Sequence, residues 1–182
     1  SYQLIVTDNL GATGKDTVNV TVNQPPIANA GPDIIITLPT NTATLSGSGT
    51  DPDGFITAYA WVKIAGPVAG TLANANTATA TASGLVAGVY SYQLTVTDNL
   101  GATGKDTVNV TVNQPPIANA GPDIIITLPT NTATLSGSGT DPDGTITAYA
   151  WAKIAGPAAG TLANANTATA TASGLVAGVY SY

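Results

Sequence analysis

The stretch YSYQLTVTDNLGATGKDTVNVTV, residues 90–112, has two alternating halves on either side of a central turn. Every second residue of each half is apolar: Tyr90, Tyr92, Leu94 and Val96, then Val108, Val110 and Val112. Successive side chains of a strand point to opposite faces, so this period of two predicts a β-hairpin with one buried face. Asp98, Asn99 and Gly101 supply the residue types that a turn needs between the two strands.

The same alternation recurs at short intervals before this hairpin. It is present in DIIITLP (33–39), TATLSGSG (42–49), FITAYAWVKI (55–64) and NTATATASGL (76–85), and turn residues such as the DPDG of 51–54 lie between these runs. No run has the period of a helix. About seven short strands within such a length, punctuated by turns, predict an all-β, immunoglobulin-like β-sandwich.

The sequence repeats itself every 90 residues. SYQL at Ser1 returns at Ser91, and SY returns again at Ser181. The copies differ only at Ile5/Thr95, Phe55/Thr145, Val62/Ala152 and Val68/Ala158. Such close self-similarity indicates a tandem array, of which we expect this chain to be a slice.

The run NQPPIANAGPD, at 23–33 and again at 113–123, sets the phase of the array. Two consecutive prolines cannot donate ladder hydrogen bonds, so they are typical of a linker. We therefore predict the last strands of one domain at 1–22, a whole domain at 23–112 (the complete repeat) and a domain without its last strands at 113–182 (the open repeat).

Composition excludes several classes of function. The net charge is −6 and the only four basic residues are lysines, so no basic surface exists for nucleic acid or for an anionic membrane. No run approaches the roughly 18 apolar residues of a membrane helix. The chain has no His, Cys or Glu, and therefore lacks the usual general bases and activated nucleophiles. The sequence predicts a protein that is not an enzyme.

The motifs PPIANAGPD, GSGTDPDG, Tyr-Ala-Trp and YSYQLTVTDNLGAT together resemble the PKD (polycystic kidney disease-type) domain family over the whole period. The KIAGP segment after the tryptophan is similar to that of its bacterial surface-protein branch. The resemblance implies an extracellular, cell-surface β-sandwich used as a spacer, stalk or adhesion module in large adhesins and filaments. Here WVKIAGP replaces the acidic-glycine turn that usually follows the family's tryptophan, so ligand data from other branches transfer poorly.

Calcium is the one cofactor that the sequence suggests. Hard cations take oxygen ligands, and some PKD relatives bind calcium near the domain start, beside the DPDG turn. The matching residues here are Asn23, Asp51 and Asp53, and in the open repeat Asn113, Asp141 and Asp143. The alternative is that each aspartate hydrogen-bonds its own turn.

Other side chains have structural interpretations beside functional ones. Trp61 and Trp151 would fill the core rather than stack on sugars, and Tyr90 and Tyr180 would be corner tyrosines. Lys63 would extend its ammonium group to water. The DTV triplets resemble an O-glycan acceptor pattern of some Gram-negative surface proteins, which would place sugar on Thr17 and Thr107.

Three functions are consistent with these features. The leading prediction is a non-catalytic stalk or spacer module of a large extracellular surface protein or filament, in contact with neighbouring repeats. The second is an adhesion module in which repeated weak contacts bind glycan or matrix. The third is self-assembly into filaments by strands donated between chains, because a sandwich without its last hairpin exposes apolar faces.

Overall fold

The computed structural model describes residues 1–182, and every regular element in it is a β-strand, which confirms the all-β prediction. The strands are β1 (Tyr2–Thr7), β2 (Thr13–Val18), β3 (Ile27–Asn29), β4 (Ile34–Thr37), β5 (Thr42–Ser46), β6 (Ser48–Thr50), β7 (Ile56–Ala65), β8 (Thr71–Ala73), β9 (Thr79–Ser83), β10 (Gly88–Asp98), β11 (Thr103–Asn113), β12 (Ile117–Asn119), β13 (Ala133–Ser136), β14 (Ser138–Thr140), β15 (Thr161–Ala163) and β16 (Thr169–Ser173). No helix has the length and apolar character to span a bilayer.

The complete repeat is a sandwich of the predicted immunoglobulin-like kind. One side is a four-stranded sheet in the order β4-β11-β10-β7, and the other side carries β3-β6 and β5-β9-β8. Alternation along β10 and β11 puts one face of each strand in the core, as the hairpin sequence predicts. The fully buried side chains of these two strands include Tyr90, Tyr92, Leu94, Val96, Val108, Val110 and Val112.

The centre of this core lies where β10 pairs with β7. The antiparallel register sets Leu94 opposite Trp61, and both side chains are buried. A Cβ atom at Gly47 would lie 2.5 Å from Leu94 Cδ2 and 2.7 Å from Trp61 Cζ2. Glycine at 47 therefore lets both large side chains pack directly against the backbone.

The β1–β2 hairpin forms a two-stranded sheet of its own. Its register runs from Tyr2 opposite Val18 to Thr7 opposite Thr13. Every residue of both strands is exposed. The same alternating sequence therefore leaves its apolar face in solvent here and buries that face in β10 and β11.

The open repeat forms only part of this sandwich. It has the small sheets β12-β14 and β13-β16-β15. Residues 124–127 and 146–154 form no strand, although their sequence counterparts in the complete repeat are β4 and most of β7. A single bridge joins Ala155 to Ser181. The counterparts of these segments pair with β10 and β11 in the complete repeat, and the open repeat has no such strands to pair with.

The chain divides into two compact units. One contains residues 1–35 and 41–111, and the other contains residues 36–40 and 112–182. The bounds of 1–22, 23–112 and 113–182 that the sequence suggests stay a prediction.

Candidate functional site at the DPDG turn

The DPDG turn connects β6 to β7 and is tied to the start of the repeat. Asp53 accepts a hydrogen bond from the backbone N–H of Gln24 at 3.0 Å through Oδ2. The N–H of Asp53 lies 3.5 Å from Asp51 Oδ1 within the turn itself. One carboxylate thus anchors the linker and the other orders the turn, as expected if these aspartates have a structural role.

The open repeat has the same arrangement in its own DPDG turn. Asp143 accepts the N–H of Gln114 at 2.8 Å, and the N–H of Asp143 lies 3.4 Å from Asp141 Oδ1. Because both repeats form these contacts, the turn geometry is a property of the local sequence and does not depend on a completed sandwich.

A third carboxylate, Asp98 at the end of β10, joins the turn from the hairpin. Its side chain is 2% exposed and accepts the amide Nδ2–H of Asn23 at 2.7 Å. It also accepts the backbone N–H groups of Leu100 and Ala102 at 2.8 and 2.9 Å. The Asn23 amide foremost, and then these backbone donors, lower the pKa of Asp98 below its usual range, so the group stays ionised.

Asp51 Oδ2 is buried and has no hydrogen-bond partner. Burial raises the pKa of Asp51, and the negative charges of Asp53 and Asp98 raise it further. A Cβ atom at Gly54 would lie 2.5 Å from Asp51 Oδ2 and would collide with Asn99 Oδ1, so both oxygens approach the Gly54 backbone closely. Asn99 Oδ1 also accepts the N–H of Phe55 at 3.1 Å.

The structure brings the three predicted ligands of the complete repeat into one cluster but changes their roles. Asn23 directs its amide nitrogen to Asp98, so its contact there is that of a donor and not of a metal ligand. Asp98 and Asn99, which sequence reasoning treated only as turn residues, complete the cluster. No group of three or more acidic, His or Cys side chains is positioned to hold a metal ion. In the open repeat Asn113, Asp141 and Asp143 have no counterpart of Asp98, and calcium stays a prediction in both repeats.

The aromatic side chains of the complete repeat are structural. Trp61 is 3% exposed and donates its Nε1–H to Ala78 O at 3.3 Å, which confirms the core prediction. Tyr90 is fully buried, and its hydroxyl accepts the N–H of Val86 at 3.0 Å and donates to Val86 O at 3.2 Å. It is a corner tyrosine, as predicted. Trp151 is only half-buried, because the open repeat lacks the hairpin that would cover it.

Lys63 does not extend to water, so that prediction is wrong. Its Nζ donates to the backbone carbonyls of Pro67, Val68 and Ala69 at 2.7, 3.3 and 3.1 Å. The ammonium group also lies 5.6 Å from the centre of the Tyr90 ring. The positive charge is held by three carbonyl dipoles and an aromatic face, which fixes the KIAGP loop on the sandwich.

Thr17 and Thr107 are both exposed on their hairpins. The carboxylate of Asp106, beside Thr107, accepts the N–H of Ala30 at 2.8 Å. The hydroxyls are therefore accessible, and glycosylation of either stays a prediction.

A buried strand tryptophan, a corner tyrosine and two sheets around one core define an immunoglobulin-like β-sandwich module. Eight N-terminal Ig domains of Down Syndrome Cell Adhesion Molecule have this fold, with a TM-score of 0.52 at 13% identity over 96% of this chain and 27% of that one. The sequence profile described as K319L-like, PKD domain matches residues 30–112 and 120–182. The chain belongs to this PKD domain family.

Two relatives illustrate the family. Dyslexia-associated protein KIAA0319-like protein of Mus musculus is 40% identical over 191 residues, which cover 99% of this chain and 18% of the relative. The solution structure of the PKD domain from KIAA 1837 protein is 38% identical, with a TM-score of 0.45 over 59% of this chain and 99% of that one. The chain thus spans about a fifth of the length of the curated relatives that it matches, and these relatives are mammalian rather than bacterial adhesins.

Proposed function

We propose that this chain is a non-catalytic spacer segment in the extracellular part of a larger surface protein. The observation that carries the proposal is the near-identity in sequence of successive PKD repeats, which differ over a whole period at only four positions. A repeated close-packed domain sets distance, because each copy adds a fixed length. The Pro-Pro segments at 25–26 and 115–116 are semi-rigid, which limits bending between copies.

The test is the length of arrays with increasing numbers of repeats. The longest strands have 11 residues, so each copy should add about 36 Å plus its linker at ~3.3 Å per residue. Small-angle scattering and electron microscopy of two-, four- and eight-repeat arrays should give a maximum dimension that rises linearly. A dimension that rises with the square root of repeat number would contradict the spacer proposal.

We also propose calcium binding at the DPDG turn, because Asp51 Oδ2 is buried without a partner and faces the same backbone as Asn99 Oδ1. Oxygen ligands of this kind suit a hard cation. Calorimetric titration with calcium should show binding that Asp51→Asn removes, while the distant exposed change Asp33→Asn leaves it intact. Titration without heat at millimolar calcium would exclude the site.

An adhesion role is the second candidate, and Phe55 favours it. This aromatic side chain lies beside the turn and is 65% exposed, whereas the open repeat has Thr145 at the same place. Phe55→Thr therefore replaces the natural residue of one repeat with the natural residue of the other at this position. If the module binds glycan or matrix through this surface, the exchange should weaken binding on glycan and matrix arrays, and equal binding would remove Phe55 from consideration.

A further inference from the structure

Only three residues separate the last strand of the complete repeat from the first strand of the open repeat. β11 ends at Asn113 and β12 begins at Ile117, so the connection consists of Gln114, Pro115 and Pro116. A proline ring fixes φ, and a residue that precedes a proline is restricted to extended conformations. Both rules act here, because each of the first two residues of the connection precedes a proline. The least restricted rotations are therefore ψ of Asn113 and φ of Gln114, on either side of one peptide bond.

That peptide group, called here the joint peptide group, is hydrogen-bonded at both of its ends. Its carbonyl, Asn113 O, accepts the N–H of Leu38 at 3.0 Å, and Leu38 directly follows β4 of the complete repeat. Its N–H, on Gln114, donates to Asp143 Oδ2 at 2.8 Å, and Asp143 lies in the DPDG turn of the open repeat. A peptide group is planar, so its C=O and N–H cannot turn independently. One rigid group thus has a partner in each of the two repeats.

The division of the chain into compact units agrees with this arrangement. Residues 36–40 include Leu38 and belong to the sequence of the complete repeat, yet they fall in the same unit as residues 112–182. The segment at the end of β4 is therefore grouped with the connection and with the open repeat, and both hydrogen bonds of the joint peptide group lie within that unit.

We propose that the joint peptide group is the hinge between successive repeats and that the Asp143 carboxylate holds it fixed. The hydrogen bond to Asp143 is charge-assisted, and such bonds are about twice as strong as neutral ones. While both bonds are formed, neither ψ of Asn113 nor φ of Gln114 can change without breaking a contact to one repeat. The purpose of this device rests on the spacer proposal, because a spacer keeps its length only if its joints do not fold back.

The complete repeat holds its own copy of the Asn-Gln-Pro-Pro segment in the same way. Asp53 accepts the N–H of Gln24 at 3.0 Å, as Asp143 does in the open repeat. Pro26 is buried, and a Cβ atom at Gly104 of β11 would collide with the carbonyl oxygen of Pro26. The segment is therefore the docked first part of the repeat that follows it, and it is not a free tether between repeats.

Distances between spin labels on the two repeats, measured in calcium-free buffer, test the proposal. The chain has no cysteine, and Thr44 of β5 and its counterpart Thr134 of β13 are exposed, so both can be changed to Cys and labelled. We expect Asp143→Ala to broaden the distribution of distances, because the N–H of Gln114 loses its partner. Asp53→Ala is the matched control, since it makes the same change in the turn of the complete repeat and should leave the distribution unchanged.

Three results would overturn the proposal. The first is a distribution that is equally broad in the unaltered chain and in Asp143→Ala, and the second is equal broadening by Asp53→Ala. The third concerns Asp143→Asn, which keeps an acceptor oxygen and should broaden the distribution less than Asp143→Ala. Equal broadening by these two variants would show that the turn as a whole, and not the hydrogen bond, fixes the joint.

Amide hydrogen exchange measures the hydrogen bond directly in the same chain. The Gln114 amide should exchange roughly tenfold faster or more in Asp143→Ala, as the loss of a bond to a charged acceptor predicts. The Gln24 amide should keep its rate in this variant, because its own acceptor is intact. A Gln114 amide that already exchanges at the rate of an unprotected peptide in the unaltered chain would refute the proposal.

Gly104→Ala tests whether the segment is docked without altering any carboxylate. The new methyl group should displace Pro26 and accelerate exchange of the Gln24 amide, and an unchanged rate would contradict docking on β11. Gly14→Ala is the matched control in the β1–β2 hairpin, since a Cβ atom there would meet only Val6 Cγ2, at 3.3 Å. The spacer proposal is measured by array length and the fixed joint by amide exchange, so either proposal can fail alone.

Discussion

Leu94→Ala is the sharpest test of the core described above. Leu94 is fully buried, lies opposite Trp61 in the β10–β7 ladder and contacts the backbone at Gly47. Its own strand is held between β7 and β11, so the site has little freedom to collapse around a smaller side chain. Loss of transfer free energy and the residual cavity should together lower the free energy of unfolding of the complete repeat by about 3–5 kcal/mol.

The chain contains its own control for this change. Leu4 occupies the same place in an almost identical hairpin, but it is 66% exposed. Leu4→Ala should change the unfolding free energy by no more than about 0.5 kcal/mol. The difference between the unfolding free energies of the two variants measures the effect of burial alone, because the sequence around the two leucines is almost identical.

The assay is urea denaturation followed by the fluorescence of Trp61 in a Trp151→Phe background. The midpoint should fall in Leu94→Ala while the slope with denaturant stays unchanged. A decrease of less than about 1 kcal/mol in the unfolding free energy of Leu94→Ala would show that Leu94 is not closely packed in the core. A similar cost for the two leucines would refute the assignment of the free hairpin as solvent-exposed.

Two further predictions concern polar contacts in the complete repeat. Tyr90→Phe removes the hydroxyl that hydrogen-bonds to both the N–H and the C=O of Val86, and it should destabilise this repeat by about 1–2 kcal/mol in the same denaturation assay. The same change at the less buried Tyr180 should cost less. A larger loss of stability for Tyr180→Phe than for Tyr90→Phe would contradict the assignment of Tyr90 as a corner tyrosine. The hydrogen bond from Asn23 is the main cause of the lowered pKa of Asp98 in the folded state. The ionised Asp98 carboxylate therefore contributes to stability at pH values above its unfolded-state pKa, and this contribution is lost as pH falls through its folded-state pKa. An NMR titration should find that Asn23→Ala raises the pKa of Asp98, and an unchanged pKa would rule out that hydrogen bond.

Alternation allowed the long strands to be predicted from sequence, but it missed the short ones. β10 and β11 are long enough to display a period of two, and so are β5 and β9. β3, β6 and β8 have three residues each, which is too few to show a period. These strands form because a neighbouring strand supplies partners for their backbone hydrogen bonds. That pairing leaves no signal in the local sequence.

The candidate site was predictable only in part for a related reason. The DPDG turn is local, so Asp51 and Asp53 could be identified from it. Asp98 lies 75 residues from Asn23, and only the closed sandwich brings them together. Lys63 was misassigned because the carbonyls that bind it depend on the path of the KIAGP loop, which has no sequence period.

The carbonyl and tyrosine contacts of two of the four lysines give the chain an uneven chemical reactivity. Lys63 and Lys153 each donate to three carbonyls and lie over a tyrosine ring, whereas Lys15 and Lys105 are exposed on hairpins. An amine nucleophile must present a free lone pair, so acylating reagents should modify the hairpin lysines first. A fluorophore or a solid support would then attach through the hairpins and not through the KIAGP loops, so the fold itself would select the attachment points without any engineered tag.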